Sequence, residues 1–149
     1  MAIARGAGTE IIRSIHLEEL DNSAKPLIIG VQHHIYTILS IIVKVEAIQA
    51  ADNWVKCYLT GYDASAGHTA QDFVIFQQDM TLYNTFVWND KWSFNGFEPT
   101  DFAGPTDDAA KQDAIADQGS SVPQKLYIYT EHADDNFDVL CTYLDQNNA

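Results

Sequence analysis

The groups of this chain that could do chemistry are few, and their spacing keeps most of them apart. His33 and His34 look like half of a metal site, but adjacent residues on an extended strand point to opposite faces and cannot both grip one ion. One of the two can still be a ligand. His16, His68 and His132 lie far from each other in sequence, with no Cys or His at ligand spacing, so the expectation is surface or hydrogen-bonded histidine and no metal or cofactor. Asp134-Asp135-Asn136 and Asp107-Asp108 carry hard oxygen atoms suited to calcium. Neither run has the glycine and distal glutamate of the roughly twelve-residue calcium loop, so solvated turn acids are expected. Ser, His and Asp are all present without a Gly-x-Ser-x-Gly elbow or a reactive-cysteine setting. Gly61 to Gly67 spans two glycines with no following Lys-Ser or Lys-Thr, so it is no phosphate loop. The chain reads as a non-enzyme with no catalytic residue.

Aromatic side chains offer a second kind of chemistry. Tyr127 and Tyr129 share one face of a strand, opposite Leu126 and Ile128. On an outer face they would be available for stacking on a sugar or a partner; packing inside a sandwich is the commoner arrangement and the expectation here. Trp54 and Tyr58 raise the same question. Cys57 sits between Val55 and Leu59, and Cys141 between Val139 and Tyr143, which reads as two buried thiols; they can bond only if the fold brings their strands close enough.

Such residues need elements to position them. A chain of 149 residues, 46% hydrophobic, fills one core and not two. Its net charge of -13 and pI near 4.4 argue against nucleic acid or an anionic membrane as partner. The first residues lack a hydrophobic leader region and no apolar run is long enough to span a bilayer, so the expectation is a soluble chain made in a cytoplasm.

Thr37 to Glu46 puts Leu39, Ile41, Val43 and Val45 on one face, the period of a half-buried strand. Trp54 to Thr60 alternates again, and an antiparallel pair with the preceding strand is expected. Asn89-Asp90 suits a tight hairpin between Thr81–Trp88 and Lys91–Phe97, rich in aromatics (Tyr83, Phe86, Trp88, Trp92, Phe94 and Phe97) that should fill the core. Gln124–Glu131 and Phe137–Leu144 form the clearest hairpin. Between them, Glu98 to Pro123 loses the strand signal around a possible short helix from Asp107 to Asp117, capped by Asp107 or Thr106. The predicted fold is all-β, an antiparallel β-sandwich, jelly-roll-like or immunoglobulin-like. Residues 1–20 form an N-terminal arm with a first strand or turn, and residues 21–149 form a single sandwich domain with a long loop at 98–123.

The polar arm, the strand opening His34-Ile35-Tyr36-Thr37-Ile38-Leu39-Ser40-Ile41 and the late pair of strands from Leu126 to Leu144 resemble the small β-sandwich virion proteins of tailed bacteriophages. The long 98–123 segment departs from their pattern, and Gly119-Ser120-Ser121 stands where a Gly-Asp turn is often seen. The resemblance implies a structural virion protein, a capsid decoration or cement subunit, trimeric, that binds the major capsid protein or other virion proteins. Under it the contacts would come from Ile3, Arg5, Ile11 and Arg13 of the arm and from Phe97, Phe102, Pro105 and Ile115 of the loop. Apolar anchors would enter partner pockets, and the two arginines would meet partner carboxylates. The competing readings are a tail or fibre module that binds host glycan through Tyr127, Tyr129 and Asp134, and a ring-forming head-to-tail connector or tail-completion protein.

Overall fold

The computed structural model describes residues 8–62, 71–97, 107–117 and 122–148. Among the described residues, nine strands and one helix follow in order: β1 (Thr9–Leu20), β2 (Lys25–Ile29), β3 (His34–Ala47), β4 (Asn53–Tyr62), β5 (Gln71–Met80), β6 (Thr85–Trp88), β7 (Trp92–Asn95), α1 (Ala109–Asp117), β8 (Lys125–Thr130) and β9 (Asn136–Asn147). One sheet runs β1-β9-β3, with β6 and β7 both paired to the far edge of β3; the other runs β2-β8-β4-β5. Every pairing is antiparallel.

The expected hairpin at Asn89-Asp90 does not form. β6 pairs with Ile41–Lys44 and β7 with Ile35–Ile38, both against β3, so the two are halves of one interrupted edge strand. The interruption faces a bulge. Between Ile38 and Ser40, β3 carries one residue more than β9 opposite, and the strand changes phase there. Tyr36 and Ile38 point inward before the bulge, and Ile41, Val43 and Val45 point inward after it. Leu39, expected in the core, is the extra residue and is only half-buried.

Two other expected pairings are also corrected. β3 and β4 lie in different sheets, and so do β8 and β9. The residues between them reverse the chain across the sandwich, because β3 already has β9 on one side and β6 with β7 on the other. With β6 and β7 counted as one, the eight described strands follow the double Greek-key winding of a jelly roll, and among them only β4 and β5 pair as sequence neighbours.

The core lies between the sheets. Ile38, Ile41, Val43, Phe137 and Val139 from one side meet Val55, Cys57, Leu126 and Ile128 from the other, all at 0% exposure. Phe76 of β5 closes one side against Phe86 and Trp88, with ring centroids 5.2 and 5.5 Å away. Tyr83, by contrast, is 77% exposed and not part of the core. Near the starts of β3 and β8 the backbones touch. Gly30 N–H donates to the Gln124 carbonyl (2.7 Å), Gln124 N–H to that of Gly96 (2.8 Å), and Gly96 N–H to that of His34 (2.8 Å). A Cβ on Gly30 would overlap the Gly96 carbonyl, and one on Gly96 the Val31 carbonyl, so glycine is required at both.

Asp135, expected to be a solvated turn acid, is 5% exposed. Its carboxylate accepts from Gln49 N–H (3.0 Å), the Asn53 side-chain amide (2.5 Å) and His132 N–H (2.9 Å). It therefore ties the β3–β4 crossover to the β8–β9 crossover. Burial pushes its pKa up, but the neighbouring Thr130 hydroxyl and these donors outweigh burial and hold it below the ordinary carboxylate value. The helix is capped one residue later than expected: Asp108 Oδ1 accepts from Lys111 N–H at 2.8 Å, and Asp107 instead pairs with Lys111 Nζ at 2.6 Å.

Candidate functional site

Three surfaces gather side chains with chemistry to offer. The first is an ionic cluster at one end of the β1-β9-β3 sheet. Asp145 of β9, 4% exposed, accepts from Arg13 Nε of β1 at 3.0 Å through one oxygen and lies 2.7 Å from His34 Nδ1 of β3 through the other. A groove of about 260 Å³ opens beside it, walled by Tyr36 and Tyr143. Tyr36 accepts the Val31 N–H on its hydroxyl (3.1 Å), and burial, then the Asp145 charge, pushes its pKa up to about 12. Burial also raises that of Tyr143. Arg13, Asp145 and His34 stand on β1, β9 and β3, so the cluster joins three adjacent strands as a clamp.

The second surface is the outer face of the same sheet. His16, Leu140, Ile42 and Val87 stand in one cross-strand row, since Leu140 pairs with both His16 and Ile42, and Ile42 with Val87. Val87 is 52% and Leu140 41% exposed. A hydroxyl row of Ser14, Thr142 and Ser40 lies beside it, with Ser14 and Thr142 oxygens 3.1 Å apart, and beyond that Ile12 is 68% exposed opposite Leu144. A groove of about 510 Å³ runs along the Leu140 row and is bounded by Glu18, Lys44 and Asp138.

The third surface is the outer face of the β2-β8-β4-β5 sheet. Trp54, Tyr58, Tyr127 and Tyr129 all lie here, half-buried, while Leu126 and Ile128 point inward at 0% exposure. Core packing of the two tyrosines, the sequence expectation, is corrected: the core face of β8 already belongs to the aliphatics. Tyr58 stacks on Tyr127 (centroids 5.6 Å, planes 19° apart) and meets Tyr129 edge-on (5.8 Å, 88°). Tyr129 in turn meets Trp54 at 85°, and Lys56 Nζ sits 4.8 Å from the Trp54 ring centroid.

Of the residues expected to make partner contacts, four lie among the described residues. Ile11 is half-buried in β1, opposite Asp145. Arg13 meets the carboxylate of its own chain's Asp145. Phe97 is half-buried and bridges Pro123. Ile115 lies in α1, its side chain outside what is described, and Ile3, Arg5, Phe102 and Pro105 fall outside the described residues, as does His68. His33 sits in a turn at φ 63° and His34 on the clamp, so the pair does not share an extended strand. Among the described residues no group of three or more His, Cys, Asp or Glu gathers at a metal-binding distance. Cys57 and Cys141 are both buried, free thiols on opposite sheets. Burial raises both pKa values, that of Cys141 to about 12.

No protein-family model matches the chain, and no curated protein matches it in sequence. Among solved structures, it is similar to a chain of the Bacillus endospore appendages, described as a novel family of disulfide-linked pili. The identity is 9% and the TM-score 0.43, over 100% of this chain and 97% of that one. It is also similar to a chain of infectious bursal disease virus, Gx strain (8% identity, TM-score 0.48, 99% of this chain and 35% of that one). A chain from a crystal structure of a particle of the same virus gives 9% identity and a TM-score of 0.38, over 99% and 37%. The chain spans about a third of the length of either viral chain. These likenesses concern the β-rich fold alone.

Proposed function

We propose that this chain is a structural virion protein, a decoration or cement subunit that binds a phage capsid through protein-protein contacts and associates with copies of itself, as a trimer. The observation that carries the reading is the outer face of the β1-β9-β3 sheet. An antiparallel sheet with one face on the core ordinarily turns polar residues to water on the other. Here Leu140, Ile42 and Val87 form an apolar row across three strands, with Ile12 beyond it. Charged side chains at Glu18, Lys44 and Asp138 border the row, which is the layout of an apolar contact centre within a polar rim. Jelly rolls serve in viral capsids, lectins and cupins, so the fold admits this role without selecting it.

The test is the copy number and symmetry of the chain in its native particle. A repeating set of copies on the head supports decoration. One ring at a single vertex would instead make it a connector or tail-completion protein, and absence from the particle would end the proposal.

A further inference from the structure

The aromatic face of the second sheet contains a groove that assembly through the first sheet leaves unexplained. It has a volume of about 220 Å³ and crosses the sheet from Asn22, just before β2, over Tyr129, Lys56 and Tyr58, to Asp72 and Val74 of edge strand β5. This is below the roughly 300 Å³ at which drug-sized ligands begin, so it suits a small ligand or one end of a longer one.

Its chemistry is mixed in a particular way. Tyr58 and Tyr129 stand 88° apart and make a right-angled aromatic corner. Tyr127 stacks against Tyr58 and Trp54 packs edge-on against Tyr129, so neither ring is free to lie down over the groove. Around the corner stand one ammonium, one carboxylate, one primary amide and two phenols. A ligand matching these walls presents a C–H face to an aromatic ring and a hydroxyl edge to the donors and acceptors along the groove. A pyranose ring has both. The lining holds one positive and one negative side chain, and the chain as a whole carries -13, which disfavours a polyanion. We infer that this groove is a binding site for a neutral saccharide, of one or two pyranose rings, stacked in the Tyr58–Tyr129 corner and hydrogen-bonded by Asp72, Lys56 and Asn22.

The placement favours this over a proline-rich peptide, which needs a row of parallel aromatic slots along an extended line rather than a single corner. The site lies on the opposite sheet from the proposed assembly surface, so either proposal can fail while the other stands.

The test uses the full chain, titrated by calorimetry with neutral trisaccharides of glucose, galactose and N-acetylglucosamine, and with sialyllactose and a proline-rich decapeptide as comparators. A shallow site of this size should bind one neutral sugar with Kd on the order of 1 mM, which is about -4 kcal/mol. Asp72→Ala, on an exposed strand, should weaken binding at least about tenfold, as should Tyr58→Ala, with Lys44→Gln on the other sheet unchanged. Circular dichroism of each variant separates lost binding from lost fold, and Asp72→Asn supplies a second polar variant if Tyr58→Ala unfolds. No neutral sugar bound at about 10 mM overturns the inference, as does binding unaltered in both Asp72 variants. Binding only of sialyllactose or only of the peptide also overturns it.

Discussion

Asp135→Ala removes the acceptor that joins the two crossovers at one end of the sandwich, and its cost can be worked from the bonds it breaks. The Gln49 and His132 backbone N–H groups and the Asn53 amide all lose their acceptor at once. Each buried donor left unsatisfied costs about 1 to 3 kcal/mol, and water reaching a loop end recovers part of that, so the total should be about 3 kcal/mol. For a chain of this length that is about 6 to 12 °C in Tm, or roughly 1 to 2 M in urea midpoint. Asp135→Asn keeps one acceptor oxygen and points an amide at a donor, and should cost about half as much. The pH dependence follows from the sign of the shift. The folded-state pKa lies below the ordinary value of 3.8, so the carboxylate contributes stability that is present above pH 3.8 and is lost as pH falls through the folded pKa. The gap between wild type and Asp135→Asn should therefore narrow below that pH. Urea denaturation followed by tryptophan fluorescence, repeated from about pH 7 to about pH 2, measures it. A cost under about 1 kcal/mol for Asp135→Ala, or a gap that stays constant down to about pH 2, would refute the account of the carboxylate as the fastener.

Gly96→Ala should destabilise by at least about 2 kcal/mol, because its Cβ meets backbone that cannot move aside, whereas Gly8→Ala meets open space and should cost less despite the positive φ; thermal melts of the two variants give the comparison. Asp145→Ala should cost about 2 kcal/mol and Arg13→Ala under about 1, since Arg13 is 46% exposed and rehydrates; equal costs would show that the clamp lies with the arginine. Cys57 and Cys141 should resist alkylation in the folded protein and react once urea unfolds it, and their raised pKa values make stability fall as pH rises above 9, measured by thiol titration and alkaline melts. Leu140→Asp should change stability by no more than about 0.5 kcal/mol while lowering particle occupancy at least about tenfold; unchanged occupancy would remove the outer apolar row from the proposed assembly.

Alternation along individual strands was legible without coordinates because a pleated strand turns successive side chains to opposite faces. Phe137, Val139 and Cys141 face the core and Asp138 and Leu140 face out, as their period predicts. The same rule failed at Leu39, where one inserted residue shifts the phase of β3, and nothing in a run of aliphatics marks which residue is the extra one. It was also silent on which tyrosines face water, since outer and inner faces look alike until a second sheet covers one of them. The two polar clusters had no local signal at all. Arg13 and Asp145 are 132 residues apart in sequence, and Asn53 and Asp135 are 82 apart.

Composition and period therefore settled that this chain is acidic and built of antiparallel strands, because burying alternate apolar residues is a local demand that each segment states for itself. Whether a reversal of the chain stays in its sheet or crosses to the other depends on which edges are already paired, and that is known only when all strands are in place. For that reason the jelly-roll winding, the crossing at β8 and β9, the Asp135 and Asp145 fasteners and the outward aromatic corner belong to the tertiary structure.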